Sequence, residues 1–215
     1  TVGYGNGDTY RGQLSTSGRS GRLAYRFSGG YHQTDRYSLL FDPARRVDYT
    51  PPRQGADIGM QTASVRGDLR YRVNDRVQLA LEGGTVYLGH FSIFGNAGVG
   101  DVDGRGPNSY VMAGLTAKHL SLRSFWNRYA FDLVQYDSGT RPFYVHGDTF
   151  DVELDYAPTF RTGRVEHALH VGGNYRLKTI DWNLLDTTHV QHHFALFLED
   201  TMKLSRALRL VAGLR

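Results

Sequence analysis

Tyr37, Phe41, Arg45, Arg46, Tyr49 and Arg53 crowd one segment of the chain, stiffened by Pro51-Pro52. Guanidinium forks pair with carboxylates and aromatic faces stack on flat groups, so this set suits an anionic, partly apolar ligand. A solvated loop of no recognition function has the same composition, and the six residues stand as candidates for a ligand mouth. His189, His192 and His193 form an H-x-x-H-H cluster of the kind that holds a transition metal. Neighbouring residues of a strand point to opposite faces, however, which separates His192 from His193, and the chain has no cysteine to complete a ligand set. His146-Gly147-Asp148 contains the parts of a His–carboxylate pair that activates water, although Gly-Asp in a connection is ordinary turn chemistry. Gly100-Asp101-Val102-Asp103-Gly104 offers alternate carboxylates to calcium but lacks a third and fourth oxygen ligand in register. The glycine run Gly95 to Gly100 lacks the following helix and the Lys-Ser/Thr pair of a phosphate cradle. No catalytic residue, metal site or cofactor is assigned from these patterns.

The elements that must position these groups are strands. From Phe150 to Phe160 the chain reads F-D-V-E-L-D-Y-A-P-T-F, with Phe150, Val152, Leu154, Tyr156, Pro158 and Phe160 on one face and Asp151, Glu153 and Asp155 on the other. Residues 60–73 repeat the pattern, with Ala63, Val65, Leu69, Tyr71 and Val73 opposed to Ser64, Arg66, Asp68, Arg70 and Arg72. In 22–35, Leu23, Tyr25, Phe27 and Tyr31 oppose Arg22, Arg26, Ser28 and His32. In 76–91, Val77, Leu79, Leu81, Tyr87 and Phe91 oppose Gln78, Glu82 and His90. Further strands are expected at 8–17, 108–117, 120–131, 149–160, 165–178, 191–202 and 207–215. Alternation in 108–117 and 120–131 is too irregular to assign their faces.

Composition agrees with an all-β chain. Of its 215 residues, 40% are hydrophobic, with 14 Tyr, 11 Phe and 26 Gly, and the mean hydropathy is −0.43. No apolar run approaches the roughly 18 residues of a membrane-spanning helix, whereas strands of about ten alternating residues escape a hydropathy average. The net charge of +4 comes from arginines dispersed at alternate positions among Asp and Glu, which argues against a nucleic-acid surface. No linker or composition shift divides the chain, so residues 1–215 are read as one domain.

Connections expected to be short lie at 18–21, 74–75, 117–119, 161–164 and 204–206, and those expected to be long at 36–59, 92–107, 132–148 and 179–190. The two kinds alternate. Because successive antiparallel strands reverse direction, all short turns fall at one end of the sheet and all long loops at the other. That polarity is expected of an up-and-down outer-membrane β-barrel with short periplasmic turns and long extracellular loops, its apolar face against lipid and its ionic face toward a wet lumen.

Two segments then resemble a known family. His193 to Leu204 (HFALFLEDTMKL) followed by Leu208 to Arg215 (LRLVAGLR) resembles a barrel hairpin of TonB-dependent outer-membrane receptors, departing at Glu199, where Gln is common, and at Met202, where an aromatic is common. Tyr25-Arg26-Phe27-Ser28-Gly29-Gly30-Tyr31 with Thr34-Asp35 resembles an early hairpin of that family, and Leu122 to Asn127 a middle strand. The resemblance implies a transporter with a barrel of about 22 strands, an internal plug, and energy from the TonB complex reached through that plug. About ten of those strands are expected here, with the plug and the terminal aromatic of such barrels outside this sequence. It also implies a location in the outer membrane of a Gram-negative bacterium, lipid as partner, a small-molecule or metal-chelate substrate such as a ferric siderophore, and no enzymatic activity. Two other readings fit the residues less well. One is a small closed barrel acting as a surface hydrolase through His146 and Asp148, and the other is a soluble β-sheet or adhesin-type module.

Overall fold

A computed structural model describes residues 1–5, 9–34, 60–96, 100–135 and 141–214. The strands are β1 (Val2–Gly5), β2 (Thr9–Ser20), β3 (Leu23–Thr34), β4 (Met60–Asn74), β5 (Val77–Asn96), β6 (Gly100–Ala117), β7 (Leu120–Gln135), β8 (Arg141–Tyr156), β9 (Thr159–Thr162), β10 (Val165–Trp182), β11 (His189–Lys203) and β12 (Arg209–Leu214). All join one antiparallel sheet in chain order, except that β9 lies beyond β8 along the same edge of β10. Each strand pairs with its sequence neighbour, the up-and-down meander expected from the alternation.

Cross-strand partners share a face, so the register fixes which side chains lie together. Leu23, Tyr71, Leu79, Leu115, Leu122 and Leu154 follow one another across β3 to β8 in a single apolar ladder. On the opposite face Arg26, Asp68, Glu82, Met112, Phe125, Asp151 and Arg176 form an equally continuous row. The same register assigns the two strands whose patterns were irregular. Val111, Ala113, Leu115, Leu122 and Trp126 are on the apolar face, and Tyr110, Met112 and Phe125 interrupt the ionic one.

Few apolar side chains are buried. Among the described residues the buried hydrophobic ones are Val102, Leu133 and Phe143, while Leu14 and Leu196 are 79% exposed and Phe194 77%. A water-soluble domain covers such a face with a second layer, because a contiguous apolar patch of this extent is unfavourable in water. Here a single layer leaves a continuous apolar face uncovered on one side, which is the arrangement that lipid solvates.

The turns at one end are tight. Gly21 and Gly163 sit at φ +56° and +63°, where a β-carbon would be strained. At the same end the Asn74 side chain accepts from the Arg76 backbone N–H at 2.9 Å, and Ser205 Oγ accepts from Ala207 N and Leu208 N at 3.2 and 3.1 Å.

Four sequence expectations are corrected. The strands at the other end continue well into the segments read as long loops at 92–107, 132–148 and 179–190, so those connections are extended hairpins. Paired backbone satisfies its own N–H and C=O groups in water as well as in lipid, and nothing obliges a ladder to stop where the apolar pattern does. Second, His90 and Phe91 exchange faces. A register shift between Gln61 and Thr62 places His90 opposite Gln61, and Phe91 pairs with Gly104 on the ionic face, because an extra residue at Gly89 inverts every side chain beyond it. Third, the strand read as 149–160 divides at Ala157-Pro158. Proline has no N–H to give the ladder, yet Pro158 O still accepts from Leu169 N at 3.1 Å, and β9 resumes in unchanged register. Fourth, β1 was not foreseen; its Tyr4 ring lies 5.2 Å from that of Tyr10 on β2.

Phe91, Phe131, Val145 and Trp182 pack around Val102, Leu133 and Phe143. This dry cluster sits on the ionic side, at the end of the sheet with the extended hairpins.

Candidate functional site

The ionic face is held together by short contacts within and between neighbouring strands. Arg66 Nη2 lies 2.8 Å from Glu82 Oε1, and the Tyr110 hydroxyl donates to the same oxygen at 2.8 Å. Arg70 meets Asp68 at 3.3 Å and Arg123 meets Glu153 at 2.7 Å. Asp151 accepts from Arg176 Nε at 2.6 Å and from Asn174 Nδ2 at 3.2 Å, and His170 Nε2 lies 3.2 Å from Asp155 Oδ1. Most of these cations are half exposed, so each pair contributes at most about 1 kcal/mol to stability. Their chemical consequence is a wall of fixed, mutually satisfied charges that an aqueous pore tolerates and hydrocarbon does not.

The candidate residues from the sequence fall in different places. Tyr37, Phe41, Arg45, Arg46, Tyr49 and Arg53 lie outside the described residues. His189, His192 and His193 fall along β11. His192 is on the apolar face, where the Tyr175 hydroxyl lies 2.9 Å from its Nδ1, and His193 is on the ionic face opposite Arg176. Among the described residues no three His, Cys, Asp or Glu side chains cluster as a metal site. His146 and Asp148 share the apolar face at its hairpin end. There His146 stacks on Tyr144 at 4.9 Å, and Asp148 Oδ1 accepts from Trp126 Nε1 at 3.1 Å. That carboxylate is engaged by an indole rather than by the histidine. Asp103 of the Gly100–Gly104 segment is in β6, 3.8 Å from His90.

Sequence reasoning missed a polar pair on the apolar face. His167 Nδ1 and Asp200 Oδ2 are 2.7 Å apart, and Phe160 stacks on the imidazole at 4.9 Å with an interplanar angle of 6°. Both lie near the tight-turn end of the sheet. The signal was present in the sequence, since each breaks its strand's alternation: His167 between Val165 and Leu169, and Asp200 two residues beyond Leu198.

No family model matches the sequence, and no curated protein matches it. Solved structures do. The chain superposes on the ferric-catecholate import receptor Fiu of E. coli with a TM-score of 0.65, covering 99% of this chain and 39% of that one at 13% identity. On the siderophore receptor PiuA of Acinetobacter baumannii the TM-score is 0.63, over 99% and 41% of the two chains at 11% identity. On FpvA of Pseudomonas aeruginosa, in a complex with a ferric pyoverdine, it is 0.60, over 99% and 35% at 15% identity. The fold is that of a TonB-dependent receptor's barrel wall. The chain spans about two-fifths of such a receptor. In outer-membrane barrels of this kind, apolar side chains face lipid and polar ones the lumen. The neighbours are receptors and transporters, not enzymes.

Proposed function

We propose that this chain forms part of the barrel wall of a TonB-dependent outer-membrane transporter that imports a scarce, bulky nutrient such as a ferric siderophore, without enzymatic activity. The observation that carries the reading is the division of one continuous antiparallel sheet into an apolar face and an ion-paired face, over the full span that superposes on siderophore receptors. Residues 1–215 belong to a single barrel domain. β1 and β12 are the edges of the described sheet, and because unpaired backbone is not tolerated in hydrocarbon each edge is paired on this reading, within a barrel that holds a plug as TonB-dependent transporters do. The plug engages the TonB complex. Tyr37, Phe41, Arg45, Arg46, Tyr49 and Arg53, between β3 and β4, line the ligand mouth.

The experiment is uptake of iron-55 chelates by cells carrying or lacking the complete receptor, with and without an intact TonB system. Uptake of at least one ferric chelate should need both. Equal uptake of every chelate in the absence of the receptor, or independence from TonB, would refute the proposal.

A further inference from the structure

A concavity on the ionic face, where β2, β3 and β4 run side by side, gathers polar side chains that have no partner among the described residues. It encloses about 190 Å³. Gly30 forms its floor. A β-carbon there would come 3.3 Å from Ser64 Oγ and 3.5 Å from Gly12 O, and glycine leaves that space open. Arg11, Gln13, Ser28, His32, Thr62 and Ser64 surround it. The register sets Arg11, His32 and Thr62 in one row and Gln13, Gly30 and Ser64 in the next, with Ser28 in the row beyond. On β3 the notch is nearer to Thr34, where the long connection begins, than to the turn at Gly21.

All six side chains carry an N–H or O–H donor. Among the described residues none of the six makes a side-chain hydrogen bond or ion pair, and no carboxylate lines the notch. Four arginines elsewhere on the ionic face are paired. Arg66, Arg70, Arg123 and Arg176 each have a carboxylate oxygen within 3.3 Å. A guanidinium surrounded by donors and lacking a counter-charge is complementary to one kind of group. A compact oxyanion presents acceptor oxygens to the Arg11 fork, the imidazole, the Gln13 amide and the hydroxyls together.

We propose that this notch binds the carboxylate or phosphate group of a solute in the lumen, with Arg11 as charge partner and His32, Ser28, Thr62 and Ser64 completing the hydrogen bonds. The inference rests on the barrel reading for its premise that this face meets aqueous solution. It adds an oxyanion station on the wall itself, separate from the proposed ligand mouth.

The test uses the complete receptor in non-ionic detergent, titrated calorimetrically with citrate and, separately, with inorganic phosphate. Saturable binding of one or both is expected. Arg11→Gln should weaken it about tenfold or more, the usual consequence of losing a charge-assisted hydrogen bond, and Gly30→Leu should abolish it by filling the notch. Arg209→Gln, on the ionic face of β12, should leave it unchanged. Arg11 is exposed, so its replacement spares the fold even if leucine at position 30 does not. Absence of saturable binding to the unmodified receptor, or equal binding by Arg11→Gln, would overturn the proposal. Chelate uptake by the same variants separates the two readings. Uptake by a receptor that binds neither anion defeats the notch alone, and notch-dependent binding by a receptor that imports no chelate defeats the transport reading alone.

Discussion

Leu154→Arg and Asp155→Arg place the same cation one residue apart on opposite faces of β8. Leu154 is 47% exposed and stands in the apolar ladder between Leu122 and Gly173. The apolar side of β8 and β9 runs from Phe150 to Phe160, ten residue steps or about 33 Å of strand, which a tilt near 40° reduces to about 25 Å. Leu154 is within one residue of the middle of that band, and each interface is about 12 Å away, too far for the new guanidinium to reach water without deforming the bilayer. The full midplane cost of roughly 2–4 kcal/mol applies, or about 30- to 1,000-fold in the folding equilibrium. Asp155→Arg loses the contact with His170 but leaves its charge in water, where the cost stays below about 1 kcal/mol. The assay is folding of the complete receptor into phospholipid vesicles across a urea series, read by heat-modifiable gel mobility. Equal penalties, or a larger one at Asp155, would show that the ionic face is the one in contact with lipid.

Asp151→Ala should destabilise the folded receptor by about 1–3 kcal/mol, because it strips the acceptor from Arg176 and Asn174 at a residue 7% exposed. Glu153→Ala, at a more open pair, should cost less than about 1 kcal/mol in the same urea series. Gly106→Ala should impair folding severely, since the residue has φ +148° and a β-carbon would overlap Ala130 O, whereas Gly3→Ala, with nothing within 4 Å, should be neutral. Phe143→Ala should cost about 3–5 kcal/mol at the dry cluster, seen as faster protease cleavage of the β7–β8 hairpin in intact cells without loss of the membrane-embedded barrel. Unchanged cleavage would mean that the cluster does not hold that hairpin.

The alternation of residues 22–35, 60–73 and 150–160 was sufficient to set the faces of β3, β4 and β8 with β9, because the pleat that sends successive side chains to opposite sides is a property of each strand alone. The reversal of direction at every turn follows from the same local pattern, and so does the separation of His192 from His193. What the sequence did not determine depends on partners remote in the chain. Phe91 and His90 changed sides because of where Gln61 and Gly104 pair with β5, not because of their own neighbours. The hairpins beyond the apolar band persist because two strands hold each other. Met112 and Phe125 are tolerated on the ionic face because each lies against the other across β6 and β7. The notch at Gly30 exists only where Arg11, His32 and Thr62 come into one row, and His167 finds Asp200 across a ladder that joins residues 33 positions apart. Periodicity is a local quantity and register a global one. The chain's own pattern therefore determined which side chains each clear strand puts on its apolar face, and the assembled sheet decided which of them meet there.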